Sequence, residues 1–264
     1  MKLVIFFNRA LNRLFFAFFV LSLIIIQVSI SNAQAVKNVV IVHGAFADGS
    51  GWKAVYKILT SKGYHVSVVQ NPLTSLQADV DAAKRIIDRQ DGPVVLVGHS
   101  WGGTVITEAG VHPKVVALVY VAAFQPDKGE TTLKWATSLP AAPESGFGGA
   151  DENGIIYYDK AKFKSGFAND LGKEDTDFMY DSQQAIFAES FATTVKEAAW
   201  RNKPTYGIVA TEDKSINPGI ERNMYKRSNT KTVEVKGSHV VFMSQPKAVA
   251  DVIVQASMDI NKTK

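Results

Sequence analysis

The stretch Gly98-His99-Ser100-Trp101-Gly102-Gly103, directly after the apolar run Val94-Val95-Leu96-Val97, constrains the fold more than any other part of this 264-residue chain. The apolar run predicts a buried strand, and the residues after it predict a helix opening at Trp101. A serine at the apex of so sharp a strand-to-helix turn has strained backbone dihedrals. Strand and helix also approach so closely that Cβ atoms on the flanking residues would clash, and Gly98 and Gly102 remove those atoms. The turn pushes the Ser100 hydroxyl out above the sheet. It also aims the Trp101 N–H, at a helix N-terminus, toward any oxyanion forming there. The five-residue pattern alone is common; the strand before it and the helix after it make Ser100 a candidate nucleophile.

Short apolar runs alternate with amphipathic ones along the rest of the chain. Strands are predicted over 36–42, 64–69, 94–97, 115–121, 205–210 and 232–235, and helices over 52–61, 76–90, 101–109, 219–226 and 246–260. Strands that are apolar throughout, each followed by a helix, imply an α/β fold with a mostly parallel sheet covered by helices on both faces. Residues 127–200 break that rhythm. Turn-rich stretches at 138–149 and 166–172 are interleaved with Trp135, Phe147, Tyr157, Tyr158, Phe163, Phe167, Phe178, Phe187 and Phe191. An insertion of this kind reads as a mainly helical cap over the catalytic end of a core formed by 36–126 and 201–264. Most of its aromatics are expected to fill the cap's own small core, which still makes for an apolar pocket rather than a charged one.

Residues 1–35 read as a secretory signal. Lys2, Arg9 and Arg13 precede an apolar run over 14–26, and Ser31-Asn32-Ala33-Gln34-Ala35 predicts cleavage after Ala33 or Ala35. The protein is therefore expected to be exported, periplasmic or secreted, with no stable membrane association once the signal is removed. The alternative is an uncleaved anchor, since the run approaches the length of a short span. The formal charge of +4 owes three of its 29 basic residues to this segment. The remainder has 26 basic residues against 25 acidic ones, which gives no argument for a nucleic-acid partner. The absence of cysteine excludes disulfides, thiolate metal sites and a cysteine nucleophile.

A nucleophilic serine needs a base, and the base needs an orienting carboxylate. Five histidines are available. His65 sits mid-strand and reads as structural, His112 ends the elbow helix and is expected to face solvent, and His99 reads as a packing residue. His43, in His43-Gly44-Ala45, fits an oxyanion loop after the first strand. That leaves His239, on a loop after the last strand, as the base. For the carboxylate, the loop after the preceding strand offers Asp213, which lies several residues too early to cap the helix near Pro218. Its neighbour Glu212 and, further off, Asp127 are the other candidates. All these loops lie at the carboxyl ends of parallel strands, where ligands bind in open α/β sheets.

In these segments the chain resembles the α/β-hydrolases, and among them the plant methylesterase and hydroxynitrile lyase branch with its bacterial hydrolase relatives. The resemblance rests on V-V-I-V-H-G-A-F at 39–46, G-H-S-W-G-G at 98–103, V-A-A-F-Q-P-D at 121–127, T-E-D-K-S-I at 211–216 and G-S-H-V-V-F-M-S-Q-P at 237–246. It implies a catalytic triad of Ser100, Asp213 and His239. It also implies oxyanion donors at the backbone of Ala45 and Trp101, within a loop that includes His43, Gly44 and Phe46. Two departures separate this chain from the lyase members, which resemble it but carry threonine in place of Gly44 and lysine in place of Val240. An aliphatic Val240 cannot hold a cyanide leaving group, so cyanohydrin cleavage is disfavoured.

The reading that follows is a serine hydrolase of small carboxylic esters, working through an acyl-enzyme without metal or cofactor. A receptor-like relative with little turnover, and a perhydrolase or haloperoxidase using the same triad, are the alternatives. The match is weakest over the cap, so the substrate does not follow from the triad.

Overall fold

The computed structural model describes residues 35–262. The expected signal segment, 1–35, lies outside the described residues apart from Ala35. In chain order the described residues form β1 (Asn38–Val42), α1 (Lys53–Ser61), β2 (His65–Val69), α2 (Leu76–Asp88), β3 (Val94–Ser100), α3 (Trp101–Ala109) and β4 (Val115–Ala123). Then come α4 (Thr132–Ala136), β5 (Ile155–Ile156), α5 (Lys173–Asp181), β6 (Ile186–Phe187) and α6 (Ala188–Ala192). The chain closes with β7 (Thr205–Ala210), α7 (Pro218–Arg227), β8 (Lys231–Val235) and α8 (Pro246–Lys262). Six strands pair in one parallel sheet in the order β2-β1-β3-β4-β7-β8, and β5 and β6 form a separate antiparallel ribbon.

Local chemistry explains most element ends. The Ser75 hydroxyl accepts the Ala78 N–H at 3.1 Å and starts α2. The Asn217 side chain accepts the Gly219 N–H at 2.9 Å, and Pro218 occupies the first turn, so α7 begins one residue earlier than predicted. At the other extreme, Val36 is not part of β1. Its N–H donates to the Asn261 side chain at 2.9 Å and its carbonyl accepts the Ser257 hydroxyl at 2.7 Å, which ties the start of the described chain to α8.

Burial falls from the centre of the sheet outward. Every residue of β1, β3 and β7 is buried, as the apolar runs require of strands with helices on both faces. Cover on both faces fails at the edges: His65 of β2 is exposed, and so are the first four residues of β8. That last edge carries charge, with Lys231 paired to Asp259 at 2.8 Å and Arg222 to Glu234 at 2.7 Å, which discourages further strand pairing.

Between β4 and β7 the character changes. The segment holds α4, the two-residue strands β5 and β6, a helical turn at Lys160–Lys162 running into a π-helical turn at Phe163–Phe167, and the short helices α5 and α6. Among the described residues, no helix of the molecule is long and apolar enough to cross a membrane.

Candidate active site

Ser100 closes β3 at φ 52° and ψ −121°, in the left-handed half of backbone space that side-chain-bearing residues rarely enter. Two features hold it there. A Cβ on Gly98 would lie 2.5 Å from the Gly102 carbonyl oxygen, and one on Gly102 would lie 2.4 Å from that of Val42, so both positions need glycine for α3 to start this close to the sheet. The second feature lies on β4. Its pairing with β3 passes from His99↔Val121 to Ser100↔Ala123, leaving Ala122 as an extra residue at φ 44°. The Ser100 carbonyl accepts the Phe124 N–H at 3.2 Å just beyond this bulge. Nothing in Val121-Ala122-Ala123 announces it.

The imidazole of His239, on the loop after β8, lies between Ser100 and Asp213. Its Nε2 is 2.9 Å from Ser100 Oγ, and its Nδ1 is 2.6 Å from Asp213 Oδ2. Asp213 is held on the β7–α7 loop by its other oxygen, which accepts the N–H groups of Ser215 at 2.7 Å and Ile216 at 2.9 Å. A carboxylate on Nδ1 leaves that nitrogen protonated and Nε2 free to accept the serine proton. All three side chains are buried or nearly so.

The other candidates stand elsewhere. Glu212 turns to Lys236 at 3.6 Å. Asp127 is clamped by Arg201, whose Nε donates to it at 2.7 Å; partial burial would raise the carboxyl, but the bonds and charge of Arg201 hold it below the usual carboxylate range. His112 does not simply face solvent: it is half-buried and donates to Asp88 at 2.9 Å, while its Nδ1 accepts the Lys114 N–H. His65, read as structural, is an exposed residue of an edge strand.

His43 and His99 act on the backbone. His43 Nε2 accepts the Asn71 N–H at 2.9 Å, so the ring proton sits on Nδ1, which donates to the Gly44 carbonyl at 2.8 Å. Burial lowers its pKa, in keeping with a neutral ring. The ring thereby fixes the loop that carries Ala45. His99 Nε2 donates to the His239 carbonyl at 2.9 Å, and burial keeps this ring neutral as well. His99 is therefore a support for the His239 loop as well as a packing residue.

Trp101 is fully buried, and its indole N–H donates to Asp79 Oδ2 at 2.7 Å. The other Asp79 oxygen accepts the Leu73 N–H at 2.8 Å. Burial outweighs these two bonds and pushes the Asp79 carboxyl up to about 6. Sequence reasoning missed this support for the residue after Ser100, because Asp79 sits in the first turn of α2 where an exposed acid is usual.

A cavity of about 90 Å³ opens beside Ser100 and His239. Phe46, Phe147, Tyr158, Phe167 and Phe191 line it, with Ile220 from α7. Phe46 stands at φ 61°, packs edge-to-face on Phe147, Tyr158 and Phe167, and donates its N–H to the Gln184 carbonyl at 3.0 Å. The loop after β1 is thereby tied to the segment between β4 and β7. Four of that segment's nine singled-out aromatics line the cavity and Tyr157, Phe178 and Phe187 are exposed, so most of the nine do not simply fill the cap's own small core as expected. A larger, more open hollow of about 730 Å³ near Tyr64 and Arg89 contains none of the three groups joined at Ser100.

The family description that matches this chain is "Alpha/beta hydrolase family", over residues 39–252. A pyrethroid hydrolase of Sphingobium wenxiniae is 26% identical over 252 residues, covering 83% of this chain and 87% of that protein. The crystal structure of polyneuridine aldehyde esterase superposes with a TM-score of 0.72 at 20% identity, covering 84% of this chain and 99% of the other. An extracellular alpha/beta-hydrolase from a Paenibacillus species gives 0.69 at 19% identity, over 83% and 98%.

Proposed function

Since the chain belongs to the alpha/beta hydrolase family, we propose that it is a carboxylic ester hydrolase working through an acyl-enzyme on Ser100. The observation that carries this reading is the buried chain of contacts from Ser100 Oγ through His239 to Asp213, opening on an apolar cavity. His239 Nε2 takes the hydroxyl proton as Ser100 Oγ attacks the ester carbonyl. Asp213 keeps the imidazole in the useful tautomer and stabilises the imidazolium. The N–H groups of Ala45 and Trp101 receive the oxyanion, each contributing about 3 kcal/mol to the barrier reduction. His239 then protonates the leaving alkoxide, and a water activated by the same ring releases the acid.

The cavity argues for a small acyl group, because about 90 Å³ is well below the roughly 300–1,000 Å³ of sites for drug-sized ligands. Residues 127–200 serve as the cap that sets this limit over the core of 36–126 and 201–264. The hydrolase and esterase names among the relatives agree with the reaction class. We infer further that residues 1–35 direct export, with cleavage after Ala33 or Ala35. What supports this is the signal pattern, together with the extracellular relative. N-terminal sequencing of the exported protein tests it.

The mature protein is expected to hydrolyse short-chain p-nitrophenyl esters, and a fluorophosphonate probe is expected to label the peptide containing Ser100. Full turnover in Ser100→Ala, or labelling at another serine, overturns the proposal.

A further inference from the structure

Four acidic side chains are buried among the described residues: Asp79, Glu108, Asp213 and Glu221. Three have N–H donors. Asp79 receives Trp101 and Leu73, Glu108 receives the Lys196 N–H at 2.9 Å, and Asp213 receives Ser215 and Ile216. Glu221 is fully buried, and neither of its oxygens makes a well-formed hydrogen bond; the backbone N–H of Ala210 is the one donor beside them. It lies on α7, with the exposed Arg222 beside it turned outward to Glu234. Tyr225, one helical turn further on, is engaged at Ala123, donating to its carbonyl at 2.9 Å. What Glu221 does reach is the carboxyl of Asp213.

A carboxylate buried without a well-formed hydrogen bond is strongly disfavoured, and two carboxylates in buried contact cannot both stay ionised. One of the pair keeps a proton. Asp213 has two backbone N–H groups on Oδ1 and the imidazole on Oδ2, all of which favour its anion. Glu221 has only the Ala210 N–H beside it. An ionised carboxylate offers about four lone-pair sites, of which Asp213 uses three, so one remains for an O–H donor.

We propose that Glu221 is a neutral carboxylic acid that donates its O–H to Asp213 and acts as a positioning residue behind His239. Burial first, and then the negative charge of Asp213, push the Glu221 acid well above the usual carboxylate range, against the opposing pull of the Ala210 N–H and then of Arg222. The other ionisable groups facing it are Tyr225 on the same helix and, beyond that, Tyr120 on β4; both phenols are pushed up by burial. The O–H holds Asp213 in the plane of its contact with Nδ1 and draws charge from it. A neutral partner does this without adding a second negative charge behind the imidazole. The effect on catalysis rests on the acyl-enzyme reading; the protonation of Glu221 does not.

Infrared difference spectra of the whole protein against Glu221→Gln test the protonation directly. At about pH 8, where Asp79 has lost its proton, the wild type should retain the carbonyl band of a protonated carboxylic acid and the variant should lack it. Absence of that band in the wild type overturns the proposal, whether or not the protein cleaves esters. The positioning role is read from the pH dependence of kcat/KM. Glu221→Leu should lower kcat by roughly tenfold to a hundredfold and move the acidic limb to higher pH, since Asp213 loses a donor. Glu221→Gln, which supplies an N–H in place of the O–H, should recover most of kcat and keep the limb in place. A limb that moves to lower pH in Glu221→Gln means a charge was removed, and overturns the proposal. Equal losses in both variants with unmoved limbs reduce Glu221 to packing and overturn the role. If Glu221→Leu fails to fold, the infrared band and the Glu221→Gln limb still decide.

Discussion

The ground beneath Ser100 and the segment above it are built differently. Beneath it, β3, β4 and α3 form buried elements of seven to nine residues in which the turn, the bulge at Ala122 and the glycine contacts each leave one backbone arrangement. Above it, elements of two to nine residues present aromatic rings to the cavity through edge contacts. Hydrogen bonds with fixed geometry hold reacting atoms in place, while ring packing tolerates changes of shape. The proposed function therefore assigns chemistry to the lower region and substrate choice to the upper one. Substitutions below should abolish turnover, and substitutions above should redirect it.

The most severe loss is expected from Ser100→Ala, on the order of 10⁶-fold in kcat, since the nucleophile is removed outright. Asp213→Asn should follow at about 10⁴-fold, because an amide oxygen and an amide N–H no longer select the protonated Nδ1. The matched control is Asp127→Asn, whose carboxyl is engaged by Arg201, and its steady-state kinetics should stay within a few-fold of wild type. A larger loss at Asp127 than at Asp213 would move the orienting acid to the wrong loop.

The lower region was largely legible in the sequence, and the reason is local. Four apolar residues, two flanking glycines and a serine are a pattern whose physical meaning does not depend on distant parts of the chain. Asp213 and His239 could be found because each follows a predicted strand in a sheet whose strands run parallel. Ala122, Asp79 and Glu221 were not legible. Each looks ordinary among its neighbours: what Ala122 does comes from the end of β3 and what Asp79 does from Trp101, each about 20 residues away, and the part proposed for Glu221 comes from Asp213 across a loop. The upper segment resisted for a different reason. Elements of two to five residues contain too little of a period to show which ring faces Ser100 and which faces water.

Asp79 supplies a test at the border between the two regions, since its partner Trp101 also packs on Phe191 of α6 at 5.2 Å. Its folded-state pKa, about 6, lies above the ordinary value near 4, so the folded protein binds this proton more tightly than the unfolded chain. Stability from this source is complete below about pH 4 and is lost as the pH rises through about 6. Urea denaturation of wild type and Asp79→Asn should show the wild type's relative stability falling by about 2–3 kcal/mol from pH 4 to pH 7. A difference that does not change with pH would mean that this carboxyl carries no such burden.

The mildest change belongs to the upper region. Phe147 lines the cavity but is 38% exposed, so its removal leaves only a shallow defect in packing. Phe178 is 64% exposed and lines no part of this cavity, which makes Phe178→Ala the control. In Phe147→Ala the space beside Ser100 grows while the hydrogen bonds of Ser100, His239 and Asp213 are untouched. The ratio of kcat/KM for p-nitrophenyl octanoate to that for the acetate should rise about tenfold, equivalent to about 1.4 kcal/mol, with kcat for the acetate little altered. Phe178→Ala should leave the ratio where it is. If Phe147→Ala instead lowered kcat for every ester alike, the ring would be supporting the reacting groups. The division between a lower region that reacts and an upper region that selects would then fail at its nearest point of contact.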